Sequence, residues 1–222
     1  RGCQAYNHPE LNFLKFPMIV FLRRFLPWGL LILVGALSYR DLLVGQFLFD
    51  DYQVILKNDA LQNVHTFRDS LTFVLKPSKP VTNFLLAVGQ LISPGTAGQR
   101  ALSILFHLMV TLFFYRILKT EGFKIAFWPA LFFLLLPIHS ETVMVGLFRM
   151  EILGSLFTLV AVSLVQSLRE RPSALRYLGI FMAVGLAQMS KEVFALIAPV
   201  TALLFYGQRK GWQRFAGILL GV

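Results

Sequence analysis

Apolar runs of nearly bilayer length recur along this chain, and short clusters of Lys and Arg punctuate them. A helix needs about 20 apolar residues to cross a hydrocarbon core of about 30 Å. The runs FLPWGLLILVGALSY, ALSILFHLMVTLFFYRIL (101–118), Ile125 to about His139, and about 150–167 are of that kind. Hydrocarbon offers no water to backbone N–H and C=O groups, so segments of this type must be helical. The expected fold is therefore all-α: a polytopic membrane protein of about seven transmembrane helices. Residues 1–15 read as a cytoplasmic segment and 16–222 as one transmembrane module, in which 40–100 is a large first external loop carrying interfacial helices. Composition agrees, with 56% hydrophobic residues and 22 Phe among 222.

The basic clusters set the expected sidedness. Lys15, Arg23 and Arg24 precede the first run, and 119–124, 169–176 and 209–214 hold further groups, all cytoplasmic by the positive-inside rule. Residues 40–100, 140–149 and 190–192 are then external. Tyr177 to Tyr206 is interrupted by Ser190-Lys191-Glu192. As one helix it would bury Lys191 and Glu192 near the bilayer centre, at a cost of several kcal/mol unless paired, so two short helices turning at Lys191 are expected. VTNFLLAVGQLI, at about 12 residues, is too short to span and reads as an interfacial helix. Residues from Phe215 read as the start of a seventh span. The net charge of +10 lies in these clusters and forms no basic face for nucleic acid. A lone Cys3 excludes an internal disulfide framework, and the first apolar run lacks a cleavage site and reads as an anchor. The chain starts without Met and stops within an apolar run, as a fragment would.

Acids follow the opposite pattern. All five Asp lie between 41 and 69, and Glu141, Glu151 and Glu192 fall at turns assigned to the same side, so eight of eleven acids face one compartment. Asp50 and Asp51, in FLFDDYQVILKND, sit just beyond the first span. A solvated loop or a helix cap is the plain reading of such a pair. Its convergence with PIHSETVMVGLFRME and AQMSKEV favours a site. His139 alone reads as an interfacial histidine, Lys79 and Arg100 as snorkelling side chains, and His107 as a group bonded to a neighbouring helix. An Asp pair with bases at a bilayer surface suits transfer of a sugar from a lipid phosphate. A carboxylate takes the acceptor proton, and Arg149 and Lys191 hold the phosphate.

The ordered set FDDYQVILKND, SKP, ILFHL, LLPIHSETV, FRMEIL and LAQMSKE resembles the amino-terminal membrane region of the transmembrane and tetratricopeptide repeat O-mannosyltransferases and their bacterial relatives. These are GT-C glycosyltransferases that use polyprenyl- or dolichyl-phosphate sugars. The resemblance runs from about Phe47 to Glu192. It implies catalytic Asp50, with Asp51 as runner-up, donor-phosphate binding by Arg149 and Lys191, and supporting roles for Lys79, His139, Glu141, Glu151 and Glu192. The implied partners are a polyprenyl-phosphate sugar (mannose-like), a protein or other hydroxyl acceptor, the bilayer, and further subunits of a membrane complex. The implied location is a bacterial inner membrane or the ER membrane, with the active face periplasmic or lumenal. The chain departs from the family pattern at Leu136-Pro137, Phe148 and Lys79, and no tetratricopeptide repeat is present. No cofactor is certain. A divalent cation on Asp51, His139 and Glu141 is open, since their spacing is not diagnostic. The contrasting reading is a non-catalytic GT-C-like structural subunit; a transporter ranks third, because the charges collect at a surface instead of the midplane.

Overall fold

The computed structural model describes residues 10–75, 78–168 and 171–210. In chain order the α-helices are α1 (Glu10–Tyr39), α2 (Asp59–Gln62), α3 (Phe67–Leu71), α4 (Pro80–Ile92), α5 (Thr96–Thr120), α6 (Phe127–Leu135), α7 (Ile138–Met144), α8 (Arg149–Ser167), α9 (Ala174–Ser190) and α10 (Phe194–Lys210). Among the described residues, Phe25–Leu43, Thr96–Thr120 and Arg149–Ser167 are long and apolar enough to cross a membrane, by length and composition.

A fourth crossing exists if α6 and α7 form one span, and that span is bent by 61°. The third span expected from Ile125 to about His139 corresponds to this bent pair. The break falls at Leu136-Pro137, where proline offers no N–H and its ring crowds the preceding turn. The carbonyl of Leu134 is taken up by a donor from another helix, the Tyr39 hydroxyl at 2.7 Å. The hairpin expected around Lys191 is present, with α9 and α10 of 17 residues each. The span expected from Phe215 lies outside the described residues.

Three kinds of packing hold the molecule together. Leu31, Ile104, Val110, Ala130, Leu134, Ile152 and Leu156 form an apolar core shared by α1, α5, α6 and α8. Between the first two long helices, Ile55, Leu61, Val64, Phe73 and Leu86 give residues 44–95 a small core of their own, with α4 as its lid. Along α8, α9 and α10 most of the buried contacts are small, Ala161, Ala183, Ala187, Ala198 and Ala202, joined by Val165 and Phe194. Such residues let helix backbones approach closely where apolar burial alone cannot drive association. Gly154 marks the closest approach, because a Cβ there would lie 2.2 Å from the Phe194 ring.

Helices α5 and α8 run parallel. Gln99 of α5 meets Arg149 at one end, and Gln166 of α8 meets Ile117 and Glu121 at the other. The guanidinium of Arg176 donates to Ser167 O at 2.8 Å at this second end. The basic groups of 119–124 and 171–176 therefore share one end of the bundle, as the charge pattern requires. Asp51, Arg100, Arg149, Glu151 and Lys191 gather at the other.

Candidate functional site

The start of α8 organises the site. Within six residues, 146–151, the chain contacts the Asp51 carboxylate, α4, α5 and the α9–α10 turn. Asp51 follows a tight reversal in which its own N–H donates to Leu48 O and the Asp50 carbonyl accepts from Gln53 and Val54. Phe49 takes a left-handed backbone, φ 48°, to make this reversal. For a bulky side chain that conformation costs on the order of 1–3 kcal/mol.

The two carboxylates of the pair part company here. Asp51 is 1% exposed, and its oxygens accept from the N–H of Gly146 at 2.7 Å and of Leu147 at 2.9 Å. It does not cap its own helical turn. Burial pushes the Asp51 carboxyl above the usual carboxylate range, against the pull of those two N–H groups and of Arg149 and Arg100. Asp50 is exposed, and among the described residues no hydrogen bond or ion pair engages its carboxylate.

Arg149, expected at a turn open to a lipid headgroup, has no exposed surface. Its guanidinium donates to Ser103 Oγ at 3.2 Å, Leu85 O at 2.9 Å, Gln99 O at 2.5 Å and Gln99 Oε1 at 2.9 Å. Four of its five donors are used inward, locking α8 to α4 and α5. Arg100, read from sequence as a snorkelling side chain, is likewise corrected: it is 4% exposed and donates to the carbonyls of Leu42, Val44, Gln46 and Met144. A basic residue at the edge of an apolar run was the available signal, and it fits a buried partner set as well as an interface.

Two residues beyond Arg149, the partly exposed Glu151 pairs with Lys191 at the α9–α10 turn. That turn is fixed to α4 by the Thr82 hydroxyl, which donates to Ser190 O at 2.8 Å. Two crevices lie on this end of the bundle, the first beside the α9–α10 turn and the second lined by Glu151 itself. One, of about 650 Å³, is lined by Lys79 and Glu192 with Ser78, Gln188 and Met189. Lys79 there has a left-handed backbone, φ 53°. The other, of about 310 Å³, is lined by Glu151, His139 and His107 with Phe133 and Ser155.

His107 meets the Tyr39 hydroxyl at 3.3 Å and the Leu134 carbonyl at 3.5 Å, so it is bonded to neighbouring helices as expected. His139 is half-buried, with its ring centroid 4.5 Å from that of Phe133 and 5.1 Å from that of His107. Its Nε2 is buried without a hydrogen-bond partner. Glu141 is exposed. Among the described residues no group of three or more His, Cys, Asp or Glu side chains is placed to hold a metal ion, and Asp51, His139 and Glu141 are not brought together. Asp51 already spends both oxygens on backbone N–H groups.

The fold and the site together define a helical bundle with apolar helices long enough to cross a membrane, carrying at one end an exposed carboxylate, Asp50, and an ion pair, Glu151 with Lys191. The chain is similar to a protein O-mannosyl-transferase of Caenorhabditis elegans, 29% identical over an alignment of 189 positions that covers 77% of this chain and 26% of that protein. It thus spans about a quarter of the length of the curated relative. No protein-family profile matches the chain. No solved structure matches it.

Proposed function

We propose that this chain carries the active face of a membrane glycosyltransferase that moves a sugar from a polyprenyl-phosphate donor to a hydroxyl group of a protein acceptor. The carrying observation is the division within the Asp pair: Asp51 is consumed by the fold, and Asp50 is left exposed and unpaired. Asp50 accepts the proton of the acceptor hydroxyl as its oxygen attacks the anomeric carbon. The bond from that carbon to the phosphate oxygen breaks, the electron pair leaves with the phosphate, and the configuration inverts. A base in this role is worth about 10² to 10⁴ in rate.

Lys191 receives the phosphate. It already holds an anion, the partly exposed Glu151, which a phosphate can replace. Lys79, at the neighbouring crevice, adds positive potential. Arg149 contributes by holding the start of α8 in place. The resemblance and the name of the nematode enzyme support a mannose-like donor, and a periplasmic or lumenal face rests on the resemblance and on the positive-inside reading of the basic clusters.

The test is transfer of labelled mannose from polyprenyl-phosphate mannose to membrane-protein acceptors by the full-length protein in proteoliposomes. Wild type is expected to transfer and Asp50→Asn to lose transfer at matched expression. A wild-type protein that binds no donor and transfers nothing would replace this reading with the structural-subunit one.

A further inference from the structure

We infer that Arg100 is the positioning residue for the Asp50 carboxylate, a role that rests on the transfer reading. Its guanidinium bridges two segments distant in sequence. Three of its bonds run to the carbonyls of Leu42, Val44 and Gln46, at 2.9, 3.1 and 2.5 Å, on the approach to Asp50. The fourth runs to Met144 O at 3.2 Å, two residues before the Gly146 N–H that holds Asp51. The loop and the 144–147 turn are thus tied twice, once by Arg100 and once by Asp51, with Asp50 next to the second tie.

Carbonyls of an irregular loop cannot satisfy one another, and a buried guanidinium with its fixed fork of donors supplies what helix or sheet would otherwise provide. Gly45 makes the close approach possible. Its φ of 139° is open to glycine alone, and a Cβ there would lie 2.8 Å from a terminal guanidinium nitrogen. The Thr96 hydroxyl fixes the same residue from α5, donating to Gly45 O at 2.9 Å. The side-chain hydrogen bonds to the carbonyls of Leu42, Val44, Gly45 and Gln46 thus all lead back to the first turns of α5. A base held this way keeps its distance to the reacting carbon without spending its own oxygens on the fold.

The experiment compares wild type, Arg100→Met, Arg100→Lys and Gly45→Ala of the full-length protein in proteoliposomes. It measures hydrogen exchange by segment and mannose transfer from polyprenyl-phosphate mannose. In Arg100→Met, exchange in 44–56 and 144–148 should quicken by about tenfold or more, the equivalent of one lost charge-assisted hydrogen bond. Exchange in 104–118 should not change. The kcat should fall by about 10²-fold, as for a misplacement of about 1 Å, with donor KM unaltered. Arg100→Lys keeps the charge without the fork and should recover only part of the rate. Gly45→Ala, which displaces the guanidinium without removing it, should move both readouts the same way by less.

Unchanged exchange in the two segments, full recovery of rate with Lys, or a rise in KM at constant kcat would each overturn the role. If Arg100→Met fails to fold, Gly45→Ala decides, and wild-type exchange and rate in that variant would overturn the role as well. If wild type itself shows no transfer, the transfer reading fails, and exchange alone decides whether the clamp exists.

Discussion

Two sides of the α8 start are built on opposite plans. On the carboxylate side, an irregular loop is fastened by buried charges, Asp51 to two backbone N–H groups and Arg100 to four carbonyls, with little helix to stiffen it. On the ammonium side, two helices packed through alanines present Lys191 on a turn, held by one partly exposed ion pair and the Thr82–Ser190 hydrogen bond. The first plan spends charge on rigidity and leaves Asp50 free. The second takes rigidity from helices and leaves Lys191 able to exchange partners. A base needs a fixed distance to its proton, whereas a counter-ion for a departing phosphate needs a partner that it can release.

The contrast breaks most sharply at Asp50. Asp50→Asn keeps size and most hydrogen bonding and should lower turnover by about 10² to 10⁴ with donor affinity unchanged. Transfer rates measured beside donor binding check it, and full activity would remove the contrast. Lys191→Ala should do the reverse, weakening donor affinity by about 10- to 100-fold, the range for a hydrogen bond to a charged group. Titration of polyprenyl phosphate against reconstituted protein reads this; unchanged affinity would return Lys191 to a purely structural pairing with Glu151.

Asp51→Asn should act on stability ahead of chemistry. An amide can accept from only one of the Gly146 and Leu147 N–H groups, leaving a buried donor unpaired at about 1–3 kcal/mol. The pH dependence sharpens the point. Because the folded-state carboxyl is raised, its contribution to stability is complete below the ordinary carboxylate range and is lost as pH rises through the raised value. The Asn variant should flatten that slope, which thermal unfolding in detergent across about pH 4 to 7 will show. A steeper slope would sink the assignment. The smallest effect belongs to α3, where Asp69 and Thr66 form a capping box. Backbone N–H groups of His65 and Thr66 lower the Asp69 carboxyl, so this contribution is present above the ordinary carboxylate range and fades as pH falls. Asp69→Asn should raise hydrogen exchange in 65–71 slightly and leave 144–148 unchanged.

The long helices, the hairpin at Lys191 and the gathering of basic clusters at one end were legible, because apolar length, positive charge and the cost of burying Lys191 each leave a local mark. The unequal fates of Asp50 and Asp51 were not. Two identical residues side by side carry no sign of which one turns toward Gly146, a partner 95 positions away. Arg149 and Arg100 were misjudged for exposure by the same logic: a basic residue near an apolar end reads as an interface group, and its burial depends on carbonyls supplied by distant loops. The break at Leu136-Pro137 was visible as a proline within an apolar run, but the angle through which the axis turns there depends on packing and leaves no local mark.

That break also makes one backbone group depend on packing between helices. A membrane-inserting machine reads residues 127–144 as a single apolar stretch, and nothing local supplies a donor for the Leu134 carbonyl once the proline interrupts the ladder. An unsatisfied carbonyl at membrane depth costs several kcal/mol. The donor is the Tyr39 hydroxyl, with His107 alongside, and both precede the break in the chain. The carbonyl at the elbow therefore has its donor only in the packed bundle, from a helix that begins the described chain.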